Sequence, residues 1–399
     1  MSAALVVQRA DARVRVDHDA WVVTIHGEEV SRRPLPEVGR IVLFGAAELT
    51  SAARDAALKR GVDVTYLSER GTYLGRLVGR GSTMGDRRVA QLRAADDPAR
   101  AVAIARSIVA GKLRNQRNLL LRVARERDDT IPAAVLTGMA VLIERTNAVT
   151  TLDEARGVEG MGARLYFQGL RRAVLNPELR FDGRSKRPPL DEINACLSFG
   201  YTLLLREVES AALATGLELH VGTLHAAGHG KPAVALDLME ELRPLIVDRT
   251  VLRLANRRQL TPADFEPGPD GVGVYLNERG RPVLLQELYA AMRRRVHYDD
   301  REGALTVRAI VRRQAERLAA GRTRLHKRLK GFLRPVQKSV FEGWLHPTRY
   351  GPLLGVVRRT IDPHTDTVRI YHLCRGCIGL TELIGVAAPV DDPRDDTFV

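Results

Sequence analysis

Between His225 and Asp248 the chain reads HAAGHGKPAVALDLMEELRPLIVD. One imidazole followed by the carboxylates of Asp237, Glu240 and Glu241 is the donor set of a divalent-metal site. Residues three apart share a helix face, so Asp237 and Glu240 point the same way while Leu236, Leu238, Met239 and Leu242 pack elsewhere. Two neighbouring carboxylates repel each other, and a bound cation or a basic partner is the usual reason to keep both. The alternative is a solvated acidic face with His225 in a loop. A further carboxylate, Glu159 in GVEGMGARLYFQGL, lies among Gly157, Gly160 and Gly162, ahead of Tyr166 and Phe167. Each glycine costs a helix about 1 kcal/mol and leaves room for a backbone or ligand to come close, which favours a functional reason for keeping it.

Glu159 within VEGMGARLYF, then FDGRSKRPPLDEINACLSFGYTLL, then His225 with GKPAVALDLMEELRP closely resemble CRISPR-associated protein one, the integrase of spacer acquisition. The resemblance runs in unbroken order from about residue 5 to about residue 320. It implies that Glu159, His225, Asp237 and Glu240 are catalytic and that Glu159, His225 and Glu240 hold magnesium or manganese. Asp237 stands beside them, to orient His225 or hold a water. Lys231 and Ala233 occupy positions where the family more often has Arg and Ser, and neither change removes a ligand. The implied reaction is attack of a DNA 3′-hydroxyl on a phosphodiester, which requires no covalent protein nucleophile. A homodimer is implied as well. Arg243, one turn beyond Glu240, is placed to neutralise a carboxylate or to reach a phosphate.

Composition points to the same class of partner. Lys and Arg total 62 against 48 Asp and Glu, and the formal charge of +14 calls for a polyanion, with double-stranded DNA as the first candidate. No apolar run approaches the roughly 18 residues that span a membrane, and MSAALVVQRADARV lacks a signal-peptide pattern, so a cytoplasmic protein is expected. Cys196, Cys374 and Cys377 are too few for a disulfide framework, and the single CxxC has no second ligand pair at zinc-finger spacing. P-loop, Rossmann and nucleophile-elbow motifs are absent from the sequence.

Candidate DNA contacts fall in two stretches. In GKLRNQRNLLLR, Lys112, Arg114, Arg117 and Arg122 form either a phosphate-contacting face or a merely solvated one. In GRSKRPP, Arg184, Lys186 and Arg187 precede two prolines, and a flexible basic loop leaves its charge free to meet phosphate. Tyr201 and Tyr166 are candidates for base stacking, with burial in a core as the alternative.

The elements that position these residues give an α+β multidomain fold. Residues 1–84 are expected to form a β-rich domain: RVRVDHDAWVVTI alternates around a hairpin turn at Asp17 to Asp19, and RIVLFG and VDVTYL read as strands flanking a helix near Ala47 to Lys59. Residues 85–321 are expected to form a larger α-helical catalytic domain, opened by Asp97 and Pro98 as N-cap and first-turn residue. The resemblance makes the first domain the dimerisation domain. From Arg322 onward, with PVQKSVFEGWL as the most specific block, the chain resembles CRISPR-associated protein two, the integrase's small partner subunit. The match starts at that family's first helix, so residues 322–399 are expected to be an incomplete ferredoxin-like segment without nuclease activity, either a remnant or a strand donor to a neighbour's sheet. Two alternatives to an integrase are a metal-dependent nuclease of branched DNA and an inactive DNA-binding scaffold.

Overall fold

The computed structural model describes the chain from Ala3 to residue 317, except residues 78, 80–84, 128, 129, 227, 229, 269, 270 and 300–302. Beyond that it describes residues 332–337, 340–342, 345–360 and Ile370. Two compact units result, Met1–Ala315 and Glu316–Val399.

The alternating segment folds as expected. Strand β2 (Ala12–Asp17) turns at His18 and Asp19 into β3 (Ala20–Ile25), with Asp17 opposite Ala20. A two-residue hairpin needs a left-handed residue, and His18 supplies it at φ 54°. Inward-facing Val14, Trp21 and Val23 are buried, while the edge strand β4 (Glu28–Pro34) is exposed along nearly all its length. With the short β6 (Glu48–Leu49) these make one sheet, in the order β4-β3-β2-β6. The second sheet has the order β1-β5-β7-β8, built from β1 (Ala3–Val7), β5 (Val38–Phe44), β7 (Asp63–Leu67) and β8 (Tyr73–Leu77). Helix α1 (Ser51–Arg60) carries the chain from β5 toward its parallel partner β7, capped by Thr50 at its start and by left-handed Gly61 at its end. Leu5, Val14, Trp21, Ile41, Leu43 and Val64 from both sheets share one core.

Helices follow: α2 (Gly85–Asp96), α3 (Pro98–Glu126), α4 (Ala133–Arg145), α5 (Leu152–Ala173) and α6 (Glu192–Ala214). At 29 residues, α3 is about 44 Å long, and Asp97 caps it by accepting from the backbone of Arg100 at 3.2 Å. Helix α5 begins with a capping box, Thr151 and Glu154. It lies along α3 because it carries glycines where the two backbones converge. A Cβ on Gly162 would collide with Leu113, and one on Gly169 with Leu120, whereas Gly157 and Gly160 face open space. Of the three glycines around Glu159, then, Gly162 serves helix packing.

Helix α7 (Ala233–Met239) ends just before Glu240, and a π-helical turn over Pro244–Asp248 leads into α8 (Arg249–Asn256). Pro244 has no N–H to give, and single π turns of this kind are common at functional sites. A hairpin of β9 (Phe265–Pro267) and β10 (Val274–Leu276), helix α9 (Gly280–Arg293), and a second hairpin of β11 (Val296–Asp299) and β12 (Gly303–Leu305) follow. The chain is helical again over 307–317, here α10.

The β-rich and helical regions meet through buried charge. Arg40 of β5 is 2 % exposed and pairs with Glu207 of α6 and, at 3.4 Å, with Asp63 of β7; Arg308 of α10 holds the other oxygen of Glu207. Burial pushes the Glu207 carboxyl up, but Arg40 and then Arg308 outweigh it and hold it below its usual range.

In the second unit, β13 (Arg334–Gln337) and β14 (Val340–Glu342) form an antiparallel pair. Helix α11 (Pro347–Thr360) buries Leu353 and Val357 near Phe332, Leu333 and Leu345. The stretch on which the expected loss of an opening strand rests, residues 318–331, lies outside the described residues, as do Cys374 and Cys377.

Candidate metal centre

Asp237, on α7, is 2 % exposed and fully committed. Its Oδ2 accepts from the backbone N–H of Thr223 at 2.6 Å and of Leu224 at 3.1 Å, and from the Thr223 hydroxyl at 3.2 Å. Its Oδ1 accepts from the backbone N–H of His225 at 2.9 Å and contacts His225 Nδ1 at 2.7 Å. An ionised carboxylate only accepts, so Nδ1 is the donor and the lone pair lies on Nε2. Asp237 has no capacity left for a metal; it holds the 223–225 turn and fixes the imidazole's tautomer and direction. Gly222 makes that turn possible, because a Cβ there would meet the carbonyl of His225 and the backbone of Ala233, each at 2.9 Å. Thr223 and Gly222 are functional-site residues that the sequence reading missed; their only signal was a position just ahead of His225.

His225 Nε2 faces Glu240, whose Oε1 is 3.9 Å away. Glu240 continues the helical backbone beyond α7 and is 2 % exposed. Glu159, on α5, reaches the same region from the opposite wall and keeps 29 % of its side chain exposed. Between them lies Lys112. Read from the sequence as a phosphate contact on a helix face, it is instead 5 % exposed, with its ammonium bonded to Glu159 Oε1 and 2.6 Å from Glu240 Oε2. The reason is docking of α3: Asn115, one turn along, donates to the carbonyl of Glu241 at 2.9 Å and brings that face of α3 against the acidic turn.

Burial pushes the Glu240 carboxyl up, but Lys112 and then Arg243, 3.2 Å from Oε1, hold it at about 2. Burial likewise lowers Lys112, and Glu240 and Glu159 more than restore it. Both partners are therefore charged at neutral pH. Among the described residues no group of three or more His, Cys, Asp or Glu side chains is arranged to hold a metal ion. Glu159, His225 and Glu240 nevertheless fit magnesium or manganese in kind. They offer two carboxylates and one oriented imidazole, and both carboxylates already hold a cation, the Lys112 ammonium.

A second cluster adjoins the first through Arg243. The hydroxyls of Tyr166 and Tyr201 donate to the two oxygens of Asp248 at 2.5 and 2.6 Å. Burial pushes Asp248 up to about 6 against those two hydrogen bonds. The Tyr201 ring is flanked by the guanidiniums of Arg243 at 4.9 Å and Arg184 at 5.4 Å. Tyr166 is fully buried, as the core alternative had it.

The GRSKRPP loop is less free than its composition suggests. Asn194 of α6 accepts from Arg184 at 2.8 Å and from the backbone of Ser185 at 3.0 Å, and Arg184 also donates to Ser198 at 3.1 Å. Arg184 is thus packed onto α6, while Lys186 and Arg187 remain exposed. Arg117 donates to the Leu136 carbonyl at 3.0 Å, tying α3 to α4. Within the described residues, no helix is long and apolar enough to cross a membrane.

Residues 5–290 match the family described as CRISPR associated protein Cas1, and the chain belongs to that family. Residues 319–379 match the family of CRISPR associated protein Cas2. A CRISPR-associated endonuclease Cas1 from Moorella thermoacetica is 39 % identical over 282 residues, 68 % of this chain and 80 % of that protein. Two solved structures share the fold. A Cas1 protein from Thermotoga maritima aligns over 79 % of this chain and 96 % of its own, with TM-score 0.66 and 21 % identity. A casposase bound to integration product aligns over 79 % and 90 %, with TM-score 0.69 and 23 % identity.

Proposed function

We propose that the chain is a metal-dependent DNA integrase and endonuclease of CRISPR adaptation, in which Glu159, His225 and Glu240 hold magnesium or manganese. One observation carries the reading: three donors from three separate segments converge on a single small region, with the imidazole aimed into it by Asp237. A divalent ion bound there would polarise the scissile phosphate and stabilise charge on the attacking and leaving oxygens. The remaining work belongs to the chain. Asp237 accepts from Nδ1 of His225 and so directs Nε2 at the site; Arg243 pairs with Glu240 and holds it in place; exposed Lys186 and Arg187 are the phosphate contacts on the nearby loop. The nucleophile is the 3′-hydroxyl of the incoming DNA, in keeping with the absence of a covalent-catalysis motif in the sequence.

The relatives' names and the casposase with its integration product support this reaction class. A Cas2-like partner, supplied by the C-terminal region or by a separate subunit, and a homodimer formed through the β-rich region belong to the same reading. It is tested by strand transfer of a short duplex into a supercoiled repeat-bearing plasmid in manganese. Glu159→Gln, His225→Asn and Glu240→Gln should each lose at least about a hundredfold in rate, the scale set by removing a group that stabilises charge at the reacting centre, while duplex binding stays within a few-fold. Near wild-type rates in any of the three would remove that residue from the site. Metal-dependent cutting of branched DNA with no joined product would select the nuclease alternative, and binding without either reaction the scaffold.

A further inference from the structure

Lys112 has no place in a simple three-ligand site, yet it is the group that occupies the centre of this one. Its ammonium touches both Glu159 and Glu240, it is almost fully buried, and α3 is docked so as to hold it there. With Arg243 also on Glu240, the two carboxylates of Glu159 and Glu240 face two cations. A divalent ion would need the same carboxylate lone pairs and would repel the ammonium beside them. A lysine, unlike an arginine, is a compact charge on a flexible four-carbon stem and can withdraw.

We propose that Lys112 is a displaceable internal counter-ion: it neutralises Glu159 and Glu240 in the metal-free protein and leaves them when a divalent ion binds. This rests on the metal reading given above and adds a consequence to it. Without DNA the protein holds its ion more weakly than the donor set alone would, and the released ammonium is free to pair with the phosphate that the substrate brings to the site. Metal and DNA then bind cooperatively through one side chain.

Two measurements on the full chain test it, neither of them an activity. Manganese affinity, read from the free Mn2+ resonance signal, should tighten by about tenfold in Lys112→Met and in Lys112→Gln, equivalent to about 1.4 kcal/mol. Duplex DNA should strengthen manganese binding to the wild type and lose that effect in both variants. In the wild type, which needs no substitution, brief acetylation followed by peptide mass spectrometry should find Lys112 protected without metal and reactive after manganese is added, with exposed Lys59 and Lys186 unchanged. Equal or weaker manganese affinity in a folded variant, or a Lys112 equally protected with and without manganese, would overturn the proposal and leave Lys112 a fixed structural ion pair. No manganese binding by the wild type at all would instead overturn the metal reading on which it stands.

Discussion

Asp237 and Glu240 stand three residues apart with the same side-chain chemistry in sequence, yet they do different work. Asp237 is saturated by the 223–225 turn, so it can only orient; Glu240 is met by the mobile-ended side chains of Lys112 and Arg243 instead of by a backbone turn, so its oxygens can exchange those partners for an ion. The spacing made the pair legible, along with Glu159 and His225. It could not assign their roles, because those depend on which backbone N–H groups fold against each carboxylate. Lys112 was illegible for a related reason. A lysine on a long basic helix carries no mark of whether its face meets solvent or another helix, and the docking of Asn115 on the Glu241 carbonyl decides it. Asp248 gives a test at this scale. Its folded pKa of about 6 lies above the ordinary aspartate value of 3.8, so the native state binds the proton more tightly than the unfolded chain. The stabilisation is fully present below about pH 4 and is lost as pH rises through about 6, on the order of 3 kcal/mol by linkage. Glu240 has the opposite sign: its contribution is present above about pH 4.5 and lost as pH falls toward about 2. In urea melts between pH 4 and 7, Asp248→Asn should flatten the decline in stability that the wild type shows. An unchanged decline would assign it to other groups.

Helix α5 shows what an element adds. Its glycines read as one motif around Glu159, and the structure divides them: Gly162 and Gly169 let α3 approach, while Gly160 faces open space. Sequence marks a glycine and gives no sign of what lies opposite it. Gly160→Ala should therefore stabilise the protein by about 0.5–1 kcal/mol through helix preference alone. Gly162→Ala should destabilise it, since driving a methyl into Leu113 costs about 1–3 kcal/mol of overpacking. Thermal melts of the two variants should shift in opposite directions; shifts of the same sign would mean that α3 and α5 do not pack as described. Strands β2, β3, β5 and β7, helix α1 and the start of α3 were readable because alternation, the His18–Asp19 turn and the Asp97–Pro98 cap are local signals, whereas β1, β4, β6, β8 and α2 were not read. The π turn at Pro244–Asp248 was not readable, because a proline after a helix-like run reads equally well as a helix end or a kink.

At the scale of the whole molecule, the charge of +14 and the buried carboxylates of Glu159 and Glu240 belong together under the proposed function: the basic surface would collect a polyanion, and the carboxylates would hold the ion that acts on it. The Arg40–Glu207–Arg308 network, joining β5, α6 and α10, had no sequence signature, since its members lie as much as 268 positions apart between Arg40 and Arg308. Lys186 and Arg187 are the exposed half of the basic loop, whereas Arg184 is committed to Asn194 and Ser198. Neutralising Lys186 and Arg187 together should therefore lower the slope of log K against log salt for duplex DNA by about 2, while neutralising Arg184 should act mainly on folding. A slope unchanged by the double substitution would move the phosphate contacts elsewhere. The central claim, that Glu159, His225 and Glu240 share one divalent ion, is tested most directly by titrating Mn2+ into the DNA-free protein and into Glu240→Gln while following the free-ion resonance signal. One saturable site in the wild type, weakened by at least about tenfold in the variant, is the expected result; equal binding by the two proteins, or none by either, would contradict it.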